Sequence, residues 1–155
     1  MKISMTIFLL IFPLLAYSQG ASEANLIFVI DEQLAVGSIA NIKISDTEGN
    51  MFDALYYPGR LIFEKWNYND RYSGTDSLTL SFDYYEDNKR GRQVYNYSLP
   101  FDKRWLKQDY LILKIYNLNK KVYKRKFDPL DYKRNYTFEI IYPGGQMLRL
   151  KNGKG

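Results

Sequence analysis

Short segments in which apolar and polar residues alternate with a period of two run through most of this sequence. In residues 78–85, for example, Leu78, Leu80 and Phe82 fall on one side of an extended chain, and the residues between them are polar. Such alternation is typical of a β-strand that buries one face, because successive side chains point to opposite sides. No window of about eleven residues keeps the spacing of an amphipathic helix. The sequence therefore predicts an all-β fold.

Turn-forming residues separate the alternating segments and pair most of them into hairpins. Pro58-Gly59, a pair that favours a type II turn, is the clearest of these signals. We predict four hairpins: 52–57 with 60–66, 78–85 with 93–99, 110–117 with 121–127, and 135–142 with 146–151. One short helical turn is expected over 102–108, with Asp102 as its N-cap.

With the further apolar segments 25–30 and 40–44, the hairpins make about eight or nine short strands. Their turns recur at the spacing that is typical of a sandwich or a barrel. We predict a single antiparallel β-sandwich, immunoglobulin-like or similar, rather than a barrel, because the alternation is uneven between strands. The chain length of 155 residues fits one domain.

The first eighteen residues have the features of a cleavable signal peptide. Lys2 supplies a positive charge, residues 7–15 are apolar, and Ala16 and Ser18 are the small residues that precede a cleavage site. A membrane anchor is the alternative, but the apolar run is about half of the ~20 residues that a spanning helix needs. We predict a signal peptide over 1–18, cleavage between Ser18 and Gln19, and a domain over 19–155. The mature protein is expected to be soluble and periplasmic or extracellular.

The sequence contains no cysteine and no histidine. A disulfide framework, a thiolate nucleophile, a histidine relay and lipoprotein attachment through an N-terminal cysteine are therefore excluded. Ordinary zinc, copper and haem sites also lose their usual ligands. A domain of this kind must be held together by its hydrophobic core, which the 46% of hydrophobic residues make feasible.

Carboxylates are the main catalytic candidates that remain. A hydrolase of this class needs two acids facing each other across a concave site. The acids on predicted strands are Glu64, Asp83 and Glu139, and the last two lie opposite an apolar face. We expect them to face solvent and to pair with Lys or Arg across the strands. The acidic segments 67–70 and 86–88 lack the ligand pattern of an EF-hand. We therefore predict no enzymatic activity, no cofactor and no metal site.

Positive charge is concentrated in residues 103–134, which hold eleven Lys or Arg residues and three Asp or Glu residues. On the predicted strand 121–127, Lys124 and Lys126 share a face, and this row of like charge favours an anionic neighbour. That neighbour is either the acidic first half of the chain or a partner molecule. A third explanation is that the lysines protect a sheet edge from pairing with another chain. The candidate partner-binding residues, expected on one exposed surface, are Trp105, Tyr110, Tyr116, Lys120, Lys124 and Lys126.

The leading hypothesis is an exported, non-enzymatic binding or assembly module for a protein or for an anionic surface or glycan. One alternative is a carbohydrate-binding module with Trp66, Trp105 and tyrosines as stacking platforms. The other is the carboxylate-based hydrolase. No nucleic acid partner is expected, because the chain is exported and its net charge of +5 is modest. The oligomeric state is left open.

Overall fold

The computed structural model of this chain describes residues 22–63, 77–89 and 91–148. The predicted signal peptide and its cleavage site, Glu64, Trp66 and the acidic segment 67–70 lie outside the described residues. The described part contains eleven strands, a 3₁₀ helix over Lys103–Lys107 and a helix α1 over Lys121–Lys126. The strands are β1 (Ser22–Ala24), β2 (Leu26–Ile30), β3 (Gln33–Leu34), β4 (Ile39–Ser45), β5 (Met51–Tyr57), β6 (Arg60–Phe63), β7 (Ser77–Asn88), β8 (Gly91–Asp102), β9 (Leu111–Asn117), β10 (Tyr136–Tyr142) and β11 (Gly145–Leu148).

The strands form two sheets that pack against each other, which confirms the predicted all-β sandwich. One sheet has six strands in the order β1-β6-β5-β4-β7-β8, and the other has five in the order β11-β10-β9-β2-β3. Every described ladder is antiparallel except that of β2 and β9, which run parallel. The chain reaches β9 from β2 by way of the six-stranded sheet, and such a long connection is what parallel pairing requires.

The hydrophobic core lies between the sheets and follows the period-two pattern of the sequence. Leu78, Leu80 and Phe82 of β7 are buried, as predicted. Phe28 of β2 meets them from the other sheet, with its ring centroid 4.7 Å from that of Phe82 and 4.8 Å from that of Tyr56. Fully burying a side chain of this size stabilises a fold by about 1.5–3 kcal/mol. The repeated inward residues therefore hold the sandwich together.

Three of the four predicted hairpins are present, as β5–β6, β7–β8 and β10–β11. The first turns at Pro58-Gly59, where Gly59 has a φ of 92°. A type II turn requires such a positive φ at its third residue, and glycine adopts it without steric conflict. The predicted helical turn is also confirmed as the 3₁₀ helix, since the Asp102 carboxylate accepts a hydrogen bond from the Arg104 N–H at 2.8 Å.

The predicted strand over 121–127 is wrong, because this segment begins with helix α1. Tyr123 and Phe127 are buried and Arg125 is exposed. A helix places residues four apart on the same face, so it buries both aromatic rings and leaves Arg125 in solvent. A strand would have placed all three on one face. Helix α1 packs on the outer face of the five-stranded sheet, where Tyr116 and Leu118 complete a second apolar cluster.

Candidate functional site

The six candidate binding residues do not gather on one surface. Trp105 and Tyr110 precede β9 in the chain, while Lys120, Lys124 and Lys126 follow it. The seven residues of β9 separate the two groups by about 20 Å, at roughly 3.3 Å per residue. The predicted single basic and aromatic surface is therefore not formed. A binding role stays a prediction for the members that are exposed.

Tyr116 is buried and has a structural role. Its ring stacks on Phe127 at 4.4 Å between centroids, and its hydroxyl donates a hydrogen bond to Glu139 Oε2 at 2.7 Å. Burial, followed by the hydrogen bond to Glu139, raises the pKa of the Tyr116 hydroxyl. Lys114, directly opposite Glu139 in the ladder, lies 3.7 Å from the same carboxylate. Glu139 thus has the predicted cross-strand partner, but it is buried and not solvent-facing as expected.

Asp83 and Glu139, the two predicted strand acids among the described residues, do not face each other across a concave site. Asp83 lies on the outer face of the six-stranded sheet, where its carboxylate accepts hydrogen bonds from the Asn41 amide at 2.6 Å and from the Asn96 amide at 2.5 Å. Its partners are amides and not the Lys or Arg that we expected. Glu139 lies on the outer face of the other sheet. The sandwich core therefore separates these two acids.

Lys120 is held by two acids that lie far before it in the chain. Its Nζ lies 2.7 Å from Asp31 Oδ2 and 3.7 Å from Glu86 Oε1. Burial alone would lower the pKa of Lys120, but the hydrogen bond to Asp31 and the charges of both carboxylates outweigh it and raise that pKa. Asp31 also accepts a hydrogen bond from the Asn117 N–H at 2.8 Å. Lys120 therefore fixes the end of β9 against the end of β2.

The remaining candidates occupy separate places. Trp105 is half-buried and packs edge-on against Phe101 at 5.3 Å between centroids. It lines an apolar cavity of about 330 Å³ together with Phe138 and Met147. Tyr110, at that end of β9, is 44% exposed. Lys124 and Lys126 lie on the exposed side of α1, and the Lys126 ammonium is 5.1 Å from the Phe127 ring centroid.

A groove of about 430 Å³ opens at the Lys120 end of the sandwich. Residues 94–98 of β8 form one wall, residues 133–136 form the other, and Asn117 and Asn119 lie at its end. The charged side chains among the described lining residues are Lys133 and Arg134, and none of these residues is acidic. The groove therefore offers aromatic rings, amides and positive charge.

Tyr136 and Arg134 fix one wall of the groove to the other. The Tyr136 hydroxyl donates to the Ser98 carbonyl at 2.7 Å and accepts from the Ser98 N–H at 2.9 Å. Arg134 Nη1 donates to the same carbonyl and to the Tyr136 hydroxyl, the latter at 3.0 Å. The Arg134 guanidinium is oriented by Asp131, 3.0 Å away. Because these side chains are held from several directions, the groove is a pre-formed feature of the fold.

Three tyrosines from β7 and β8 stand beside the groove. The rings of Tyr95 and Tyr97 are stacked, with 6.4 Å between centroids and 13° between planes, and Tyr84 lies 6.2 Å from Tyr95. Tyr97 also meets Tyr136 edge-on at 4.9 Å. Burial and then the nearby Asp31 carboxylate raise the pKa of Tyr97. Tyr95 and Tyr97 are two residues apart on β8, and a strand places such residues on the same face.

Sequence reasoning missed the groove residues Arg134, Tyr136, Asn117 and Asn119. A local signal for Arg134 exists, since it lies three residues after Asp131 in a polar segment. Nothing local indicates that Tyr136 contacts Ser98, which is 38 residues away in the chain.

Comparison with protein-family models, with curated proteins and with solved structures finds no match to this chain. Among residues 22–63, 77–89 and 91–148, no cluster of three or more acidic side chains has a geometry that could hold a metal ion. No helix in this part of the chain has the length and apolar character needed to cross a membrane.

Proposed function

We propose that this chain is an exported, non-enzymatic binding or assembly module and that its ligand site is the groove beside β8. The observation that carries the proposal is the groove itself, a concave and pre-formed site of about 430 Å³. That volume lies within the range of about 300–1,000 Å³ that is typical of ligand sites. Export rests on the signal-peptide features of residues 1–18.

The lining residues support binding and not catalysis. Lys133 and Arg134 supply positive charge, and the four asparagines at 96, 117, 119 and 135 supply amides. No carboxylate among the described lining residues is placed to exchange protons with a substrate. The site therefore favours a partner that carries negative charge and many hydrogen-bonding groups. A protein segment and an anionic glycan both fit this description.

A paired screen tests the proposal. The purified protein is exposed to a random octapeptide library displayed on phage and to a glycan array that includes sulfated and uronic-acid glycans. Hits are measured again with Lys133→Glu, which reverses a charge in the groove, and with Lys126→Glu, which makes the same change on α1. We expect ligands that Lys133→Glu loses and Lys126→Glu keeps.

The reverse pattern would place the ligand on the basic face of α1 and would reject the groove. Absence of any hit in both screens would reject the binding module. Both lysines are exposed, so circular dichroism is expected to show the same fold in the two variants.

A further inference from the structure

We propose that the groove takes an extended, acidic peptide segment, which adds to the six-stranded sheet as a seventh strand beside β8. This inference rests on the proposed function and names the partner class for the same site. Strand β8 forms one end of the six-stranded sheet. All twelve residues of β8 pair with β7 on one side, and the described part of the chain supplies no strand to the other side. Such an edge presents unpaired N–H and C=O groups to a partner.

The contacts of Ser98 show which residues of β8 direct their backbone N–H and C=O groups away from β7. Both backbone groups of Ser98 meet the Tyr136 hydroxyl, so they face away from β7. In an antiparallel ladder the outward-facing residues alternate, and Val94, Asn96 and Pro100 therefore have the same orientation as Ser98. The outward backbone groups of Val94 and Asn96 lie along the wall of the groove.

One half of this edge is blocked and the other half is open. Pro100 has no N–H, and a proline on an edge strand prevents pairing with another chain. Ser98 is already satisfied by the side chains of Tyr136 and Arg134. Neither the proline nor these side-chain hydrogen bonds involve the backbone groups of Val94 and Asn96. The edge is thus protected where the two sheets approach, and no described strand pairs with the stretch that faces the groove.

The charge of the groove indicates what kind of strand fits there. Arg134 is partly neutralised by Asp131, whereas Lys133 has no ion pair among the described residues. A second copy of the chain would bring a second Lys133 and Arg134 to the same edge, which like-charge repulsion opposes. An acidic peptide neutralises them instead. Main-chain hydrogen bonds to β8 would supply affinity, and the side chains that point into the groove would contact Tyr95 and Lys133.

The test uses peptides selected from the random octapeptide library and two substitutions at one position. Val94→Pro removes an N–H that faces away from β7. It leaves the hydrogen bonds between β7 and β8 intact, because the backbone N–H and C=O groups of Val94 do not take part in them. The strand already holds Pro100 in the same orientation. Val94→Ala shortens the same side chain and keeps the N–H. We expect Val94→Pro to weaken peptide binding by about tenfold or more and Val94→Ala by less than about threefold. We also expect Asp and Glu to be enriched among the selected peptides.

A second measurement covers the case in which Val94→Pro does not fold. Two versions of one selected peptide are made with N-methyl groups on odd or on even residues, and both are tested on the unsubstituted protein. Strand pairing predicts that one version binds about as well as the parent and that the other loses about tenfold or more, because only one set of N–H groups points to β8. Equal loss in both versions would overturn the inference.

The outcomes separate this inference from the proposed function. Peptides that Lys133→Glu loses but that bind Val94→Pro and Val94→Ala equally would overturn strand addition and leave the groove as the site. Glycan hits without peptide hits would do the same. A dimer that Val94→Pro alone converts to a monomer would make a second copy the occupant of the edge and would also overturn the peptide proposal.

Discussion

Replacing Phe127 by alanine should destabilise the protein by about 3 kcal/mol, although Phe127 lies outside the main core. Its side chain is 2% exposed, and its ring stacks on Tyr116 at 4.4 Å. Removing a buried phenyl group costs about 3–5 kcal/mol. The lower end applies because the cluster on the outer face of the sheet is small and can relax around the cavity. For a chain of this length, a loss of this size lowers Tm by roughly 10 °C.

Urea unfolding followed by circular dichroism measures this effect, with two controls on the same helix. Val122 is 66% exposed and Arg125 is exposed, so Val122→Ala and Arg125→Ala should each change the free energy of unfolding by less than about 0.5 kcal/mol. In a strand, Arg125 would share the buried face with Phe127. A loss below about 1 kcal/mol in Phe127→Ala, or similar losses in all three variants, would refute the packing of α1.

Three further changes test other parts of the structure, each by urea unfolding. Burial is the main reason why the pKa of the Tyr97 hydroxyl is higher in the folded protein than in the unfolded chain. The free energy of unfolding should therefore fall as pH rises above about 10. Tyr97→Phe should reduce that slope by up to about 1.4 kcal/mol per pH unit, and an unchanged slope would contradict the burial of the hydroxyl. Thr137 Oγ1 is buried without a hydrogen-bond partner in the described part of the chain. Thr137→Val should therefore leave the free energy of unfolding unchanged or raise it by about 1 kcal/mol. A decrease of more than about 1 kcal/mol would show that the hydroxyl has a partner. Asp102→Ala should lower the free energy of unfolding by about 1 kcal/mol, because it removes the carboxylate that accepts the Arg104 N–H hydrogen bond. No change would show that this N-cap does not stabilise the 3₁₀ helix.

The sandwich could be predicted because burial in a strand is a local property. The alternation of Leu78, Leu80 and Phe82 with polar residues is enough to place one face of β7 in the core. Turn residues such as Pro58-Gly59 then define the hairpins without any knowledge of the other sheet. The parallel pairing of β2 with β9 could not be predicted in this way, since it depends on two distant segments.

The segment 121–127 was ambiguous because two periods fit its aromatic residues. Tyr123 and Phe127 are four apart, which places them on one side of a strand and also on one side of a helix. Arg125 distinguishes the two cases, because a strand would have to bury its charge together with the rings. The Tyr116 side chain, which α1 covers, settles the choice through tertiary packing.

The candidate site depends on contacts that no local pattern carries. Lys120 pairs with Asp31 and Glu86, both distant in the chain, so its ion pairs follow from the fold. The groove forms because β8 ends its sheet and because Tyr136 reaches Ser98 from the other sheet. Net charge and aromatic content indicated a binding surface within residues 103–134, but they gave no signal for the groove beside β8.

An NMR titration of the ¹⁵N-labelled protein with a selected acidic peptide locates the ligand site residue by residue. We predict the largest amide shift changes at Val94, Asn96, Asn119 and Lys133, together with slower amide hydrogen exchange at Val94 and Asn96 as they become hydrogen-bonded. Changes confined to α1, around Lys124 and Lys126, or to the surroundings of Trp105 would contradict the groove as the ligand site.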